Sequence, residues 1–256
     1  MAKKKIRIGV VGIAGRMGKA IAIAALNSNN VTLSAGSEFK KHKDIGKDIG
    51  SILGEKPLGI KVTSNSNDFC KNIDVIIEFG LESATKEYLS LAKKYKIAFI
   101  SGSTALSKET LESMKRVSKE VPVFWAPNMS LGANLLTLLS KIAAKKLGQD
   151  FDIDITDLHH KNKKDTPSGT AKYIKEAIES SLREVKVNKK TVNISALRSG
   201  DSTGEHSVIF FGEGERVMIK HVSYSRNIFA NGAIKVATWI YRKKPGFYNM
   251  NDFLKI

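Results

Sequence analysis

"IRIGVVGIAGRMGKAIAIAALNS", residues 6–28, is the stretch on which the reading of the chain turns. Ile6, Ile8, Val10 and Val11 supply an apolar strand, Gly12, Gly15 and Gly18 a tight turn, and Ala20-Ile21 and Ala24-Ala25 a helical spacing. Glycines between a first strand and a first helix let backbone N–H groups approach a pyrophosphate at a helix N-terminus. The spacing is GxxGxxG, with Ala14 where the commoner motif has its middle glycine, and such a turn alone can be purely structural. Its position adds weight. "VTLSAGSE" (31–38) is a second strand that ends in Glu38, where a carboxylate can accept hydrogen bonds from adenosine ribose hydroxyls. The pattern implies a bound dinucleotide. Glu38 favours NADH, because it repels a 2′-phosphate; Lys40, Lys41 and Lys43 just beyond either neutralise that phosphate or form a solvated loop.

Further along, strands and helices alternate. "IDVIIEFG" (73–80) reads as a strand buried on both faces, "SATKEYLSLAKKYK" (83–96) as an amphipathic helix, and "IAFISGST" (97–104) as a strand. "SKETLESMKRVSKE" (107–120) reads as a helix with Ser107 as N-cap, and "VPVFWAPN" (121–128) as the closing strand. This alternation implies right-handed βαβ units and a parallel sheet. Past Asn128 the style changes. A long helix (130–148) leads to "FDIDITDLHH", where Phe151, Ile153 and Ile155 alternate with polar residues. A helix near 168–184 is followed by "KTVNISALRSG", "EHSVIFFGEG" and "ERVMIKHVSYS", expected as successive antiparallel strands, then a last helix and an aromatic tail. The expected fold class is α/β: a Rossmann-like dinucleotide-binding domain (1–129 and 241–256) with a second α+β domain (130–240) containing a mainly antiparallel sheet.

Composition narrows the function classes. A chain of 256 residues, 42% hydrophobic, buries a substantial core. One cysteine, Cys70, rules out an internal disulfide framework and a cysteine-built zinc site, and it suits a reducing compartment. No metal site is expected. The apolar run at Ile8–Ala14 is short for a secretory signal, and no stretch approaches the roughly 18 apolar residues of a membrane span, so a cytoplasmic protein is expected. The net charge of +17 raises nucleic acid as a partner, but the lysines are scattered doublets, with no zinc-finger spacing or aromatic stacking motif. A small anionic ligand is the preferred partner.

The densest chemistry lies in "HHKNKKDTPSGTA", residues 159–171. The histidines stand where the half-buried strand ends. Asp165-Thr166-Pro167 reads as a helix start, with Thr166 or Asp165 as N-cap, leaving the amides of Ser168, Gly169 and Thr170 for a carboxylate or phosphate. His159, His160 and Lys163 can donate protons or bind a second anionic group. An ordinary capped helix after a basic loop has the same outline. Asp157 either orients the histidines or is a solvated strand end, and His206 and His221 read as structural.

This segment resembles the signature of the 4-hydroxy-tetrahydrodipicolinate reductase (dihydrodipicolinate reductase) family: two histidines, a lysine four positions after the first, then Asp-x-Pro-Ser-Gly-Thr-Ala. "VVGIAGRMG" resembles the family's cofactor turn, "IIEFG" its third-strand end, "SGSTAL" its Gly-Thr-Thr-Gly loop and "APNMSLGANLL" its Ala-x-Asn-Phe-Ser-x-Gly-Val-Asn segment. "GEHSVIFFGEGERVMIKHVSYSR" and "FANGAIKVATWI" resemble its C-terminal sheet and final helix. The resemblance implies an NAD(P)H-dependent reductase of lysine (diaminopimelate) biosynthesis that acts on a cyclic dicarboxylate, and a homotetramer built through the second sheet. It implies His159 and Lys163 as proton donors, and His160, Ser168, Gly169 and Thr170 as substrate contacts. It implies Gly12, Ile13, Ala14, Gly15, Arg16, Met17, Glu38, Gly102, Ser103, Thr104, Ala126, Pro127, Asn128 and Met129 as cofactor contacts. The chain departs from the pattern at Ser103 and Ala105 in the loop, at Gly80 and Leu81 after the third strand, and at Phe39, where many members carry arginine. Phe39 in that place again favours NADH. Two rivals stay open: a dehydrogenase of the same architecture for another substrate such as aspartate, and a non-catalytic dinucleotide sensor.

Overall fold

The structure, a computed structural model, describes residues 5–104, 106–187 and 190–255. Its contacts divide the chain into two units, residues 1–129 with 229–256 and residues 130–228.

The first unit opens with β1 (Ile6–Val11), α1 (Arg16–Leu26), β2 (Val31–Ser37), α2 (Ile49–Leu53), β3 (Val62–Thr63) and α3 (Ser66–Cys70). It continues through β4 (Val75–Glu78), α4 (Glu82–Tyr95), β5 (Ala98–Ser101), α5 (Lys108–Val117) and β6 (Pro122–Trp125). Seven parallel strands form its sheet, in the order β3-β2-β1-β4-β5-β6 with a late strand beyond β6. β1 pairs with β2 on one side and β4 on the other, so the strand order reverses beside it. In open α/β sheets, ligands bind at such a reversal, outside the strands' C-terminal ends. Ile76, Phe99 and Val123 bury one sheet face against α3, α4 and α5, where Tyr88, Leu89 and Met114 meet them. Cys70 is buried there as a small core residue, and desolvation pushes its thiol up to about 11.

The second unit holds α6 (Leu131–Leu147), β7 (Asp152–His159), α7 (Gly169–Glu184), β8 (Val192–Arg198), β9 (Gly204–Phe211) and β10 (Arg216–Ser223). Its sheet runs β10-β9-β7-β8. β10/β9 and β9/β7 are antiparallel, but β7/β8 is parallel, which corrects the expectation of successive antiparallel strands. The cause is α7, which lies between β7 and β8 and carries the chain back to start the next strand in the same direction. Ile153, Ile155, Val192, Val208 and Phe210 point to the helix-covered face, against Leu136 of α6 and Ile174, Ile178 and Leu182 of α7. The other face leaves Leu197, Phe211 and Met218 exposed.

The chain then forms α8 (Asn227–Ile240), β11 (Gly246–Tyr248) and α9 (Met250–Leu254). Expected with the second domain, α8 instead packs into the first: Ala230, Ala233, Val236, Ala237 and Ile240 join Val10, Ile77 and Ile100 in one core. A Cβ on Gly232 would lie 1.9 Å from the Met129 carbonyl oxygen, so the helix seats on that backbone only with glycine there. β11 completes the first sheet against β6. No helix among the described residues is long and apolar enough to cross a membrane.

Candidate active site

In the first unit, the residues expected to hold a dinucleotide fall at one end of the sheet. Gly12 to Met17 follow β1, Glu38 follows β2, Gly102 to Thr104 follow β5, and Ala126 to Met129 follow β6. The turn after β1 is built for close approach. A Cβ on Gly18 would lie 2.0 Å from the Gly12 carbonyl oxygen. Gly15 is the N-cap of α1, no side chain caps that helix, and its first turn holds no acid. The opening amides of α1 and the positive end of its dipole are thus left to an outside anion, which fits the pyrophosphate of a dinucleotide. Gly15 and Arg16 are exposed there, while Ile13 is buried below them.

Glu38 turns its carboxylate toward this turn, and its Oε1 accepts the Ala14 amide at 2.9 Å. Phe39 is 65% exposed. A cleft of about 400 Å³ opens beside Ala14, lined by Lys19, Lys43 and Lys47, with Asp44 buried in its wall. Lys47 is already paired with Asp44 at 2.7 Å. His42, near the Phe39 ring, is only part-exposed, and its Nδ1 accepts the Asp44 amide.

The loop after β5 depends on a residue that sequence reading passed over as a strand end. Glu78 is fully buried at the end of β4 and accepts hydrogen bonds from the hydroxyls of Thr85 (2.8 Å), Ser101 (2.9 Å) and Ser103 (3.0 Å), and from the Gly80 amide. Ser103, expected as a cofactor contact, turns its hydroxyl inward to Glu78 and the Gly80 carbonyl, while its own carbonyl accepts from Trp125 Nε1. Thr104 is exposed at the loop's edge, and Ala105 lies outside the described residues. Ala126 and Met129 are buried, Pro127 is exposed, and Asn128 lies between these extremes.

In the second unit, β7 brings the histidines to its C-terminal end. The alternation that buries Ile153 and Ile155 also buries Asp157 and His159, which are 0% and 8% exposed. Asp157 is therefore no solvated strand end. Its Oδ2 accepts the Ser168 amide at 2.8 Å and Arg198 Nη2 at 3.0 Å. Its Oδ1 stands 2.9 Å from His159 Nδ1 and 3.3 Å from His206 Nε2. Burial opposes ionisation of Asp157, but His206, Ser168 and Arg198 outweigh it and hold the carboxyl below its ordinary range. His159 faces both influences: burial pushes its pKa down to about 4, Asp157 opposes this, and His206, Lys163 and Arg198 add to it. The 2.9 Å approach suggests an ion pair, yet Nδ1 and Oδ1 lie outside hydrogen-bond alignment. Burial decides, and the ring is neutral at pH 7. A Cβ on Gly204 would lie 2.9 Å from His159 Nε2, so the β9 backbone also limits where that ring can sit.

Asp157, His159 and His206 place three donor atoms within 4.8 Å of one another, an arrangement also used for metal ions. Here Arg198 already neutralises the carboxylate, and Lys163 adds positive charge near His159.

The helix start differs from its expected form. Ser168, not Thr166 or Asp165, caps α7, its Oγ accepting the Ala171 amide at 3.1 Å; Pro167 lies before the helix, after a cis peptide bond. Ser168 is buried, with its amide on Asp157 and its Oγ 3.2 Å from His206 Nε2, so its expected amide contact with substrate is not available. Gly169 is exposed, with open space where a Cβ would stand, and Thr170 follows in the first turn. His160 is half-buried and its amide donates to the Ser202 carbonyl. Lys163 Nζ lies 2.8 Å from Asp165 Oδ1. Arg198, absent from the sequence reading, is the parallel register partner of His159. A cation at the end of an otherwise half-apolar strand, one sheet position from the histidines, was the signal available.

Comparison with known proteins supplies the affiliation. The 4-hydroxy-tetrahydrodipicolinate reductase of Syntrophobacter fumaroxidans is 38% identical over 97% of this chain and 98% of its own length. That of Syntrophus aciditrophicus is 38% identical over 96% and 97%. Among solved structures, a dipicolinate-bound dihydrodipicolinate reductase from Paenisporosarcina sp. TG-14 shares the fold at a TM-score of 0.82 and 22% identity, covering 98% of this chain and all of that one. An amine dehydrogenase from Mycobacterium smegmatis shares it at 0.72 and 10% identity, covering 98% and 96%. The family models described as dihydrodipicolinate reductase N-terminus and C-terminus match residues 6–129 and 132–254, and the chain belongs to the dihydrodipicolinate reductase family.

Proposed function

We propose that this chain catalyses the NAD(P)H-dependent reduction of 4-hydroxy-tetrahydrodipicolinate to tetrahydrodipicolinate in lysine biosynthesis, the activity its relatives are named for, with the 4-hydroxyl leaving as water and a hydride and a proton added to the ring. The observation that carries the reading is the segment 159–171. It joins a buried histidine, a lysine and an exposed helix start in a chain whose first unit ends its sheet in a glycine turn suited to pyrophosphate.

A bound reduced nicotinamide supplies the hydride. Gly12 to Met17 hold the pyrophosphate, Glu38 the ribose, and the loops at Gly102–Thr104 and Ala126–Met129 the nicotinamide end. Glu78 fixes the first of those loops through Ser101 and Ser103. NADH is the preferred donor, because the Glu38 carboxylate repels a 2′-phosphate and Phe39 offers it no charge.

In the second unit, Gly169 and Thr170 at the positive end of α7 take one substrate carboxylate, and His160 the other. His159, neutral at pH 7, is a poor donor until a bound carboxylate raises its affinity for a proton. Lys163 is therefore the acid that protonates the reduced ring, drawn from Asp165 when the substrate's negative charge arrives. The exposed sheet face with Leu197, Phe211 and Met218 supports a homotetramer assembled through it. We place the enzyme in the cytoplasm, which suits its unpaired Cys70.

The test is an assay in which pyruvate and aspartate semialdehyde are condensed in situ while nicotinamide absorbance is followed. Oxidation of NADH or NADPH that depends on both precursors supports the reading. No oxidation of either cofactor removes it.

A further inference from the structure

Arg198 ends β8, and its guanidinium serves four acceptors. Nη1 donates to the carbonyls of Asp157 (3.0 Å) and Leu197 (2.7 Å), and Nη2 to Asp157 Oδ2 (3.0 Å) and the Asp165 carbonyl (2.7 Å). Asp165 in turn holds Lys163 Nζ through its side chain. Asp157 Oδ2 also takes the Ser168 amide, the last before α7, while Oδ1 faces His159. One carboxylate–guanidinium bridge thus touches the end of β7, the loop that carries Lys163, and the start of α7.

We propose that Arg198 and Asp157 are the positioning pair of the substrate half-site, their bridge fixing the loop that carries Lys163 and the Gly169–Thr170 helix start relative to His159. This rests on the reading given above. Neither residue reaches the substrate in this proposal; both act through groups that do. The Asp157 side chain is fully enclosed and that of Arg198 is 15% exposed. Arginine is required for geometric reasons. Its planar fork presents donors in fixed directions, and here they reach a carboxylate, the backbone of β7 and the backbone of the loop at Asp165. A lysine keeps the charge but offers a single point of attachment.

The arrangement also sets the charge seen by His159. That ring faces Asp157 on its own strand, His206 on β9, Arg198 on β8 and Lys163 on the following loop. Removing the guanidinium leaves Asp157 with a smaller positive counterpart, so its field acts more fully on His159.

The experiment compares wild type with Arg198→Lys and Arg198→Ala in the coupled assay, well below each protein's unfolding temperature. Both variants are expected to lose about 100-fold in kcat, the cost of misplacing reacting groups by about 1 Å. Their KM for the dinucleotide should stay within about twofold, because the lesion lies in the substrate half. In Arg198→Ala, which removes the charge, the His159 ring followed by NMR should titrate at higher pH than in wild type, and in Arg198→Lys, which keeps it, it should not. Guanidinium ion at millimolar concentration should restore about tenfold of the Arg198→Ala loss, whereas ammonium at equal ionic strength should not. A simple stabilising role would move the unfolding temperature and give no selective response to guanidinium.

Wild-type kcat in Arg198→Lys would overturn the proposal. So would activity losses in both variants with no selective guanidinium rescue. Inactive wild type in the same assay would remove the reductase reading itself, and this inference with it; an active wild type beside unaffected variants removes the inference alone.

Discussion

Replacing His159 by glutamine tests whether burial or the neighbouring carboxylate governs that ring. Desolvation, the larger influence, pulls its pKa from an ordinary value near 6.5 to about 4, although Asp157 lies only 2.9 Å away. The sign follows directly. Between pH 6.5 and 4 the unfolded chain takes a proton at His159 that the folded protein refuses, so stability contributed by the neutral ring is present above pH 6.5 and lost as pH falls toward 4. A displacement from 6.5 to about 4 corresponds to about 3 kcal/mol. Urea unfolding of wild type and His159→Gln at pH 7.5, 6.5, 5.5 and 4.5 isolates this contribution, because His206, His221 and Asp157 are common to both proteins. The stability difference, wild type minus variant, should fall by about 2.5 kcal/mol across the series, which stops short of the folded pKa. The His159 ring resonance, followed by NMR, should titrate near 4. A difference that grows with acidity would show the opposite: an ion pair with Asp157 that holds the ring charged. A flat difference would show that the ring is hydrated, and either result refutes the reasoning from burial.

Two further predictions concern the chemistry. Lys163→Ala should lower kcat by about 10²–10⁴-fold with dinucleotide affinity unchanged; wild-type turnover in that variant would remove Lys163 from the reaction. For the cofactor, Glu38→Gln should raise the KM for NADH by on the order of tenfold, the worth of one charge-assisted hydrogen bond, and lower the KM for NADPH by removing the repulsion of its 2′-phosphate. A wild-type enzyme that strongly prefers NADPH would show that Lys19 and Lys43 in the adjoining cleft outweigh Glu38.

The first unit was largely legible because its signals are local. The glycine turn, the buried strand within 73–80 and the Ser107 cap each follow from a few neighbouring residues, and each is found, the strand over Val75–Glu78. Residues 39–72 were not legible: α2, α3 and β3 span five, five and two residues, too short for a period to emerge. Two other features were present in the sequence but not drawn out. The parallel pairing of β8 follows from the helix that precedes it, and Asp157 stands in phase with Phe151, Ile153 and Ile155, which predicts burial. The Ser168 cap and the four bonds of Arg198 depend on strands distant in sequence, which no local pattern encodes.

The placement of α8, β11 and α9 has a consequence for how the protein is made. Residues 229–254 supply one flank of the first unit's core and its last strand, yet they leave the ribosome after every residue of the second unit. The second unit can therefore close while the first still exposes Val10, Ile77 and Ile100 along one side of its sheet. The first unit is thus the later of the two to have its whole core synthesised, its sheet waiting for its final helix.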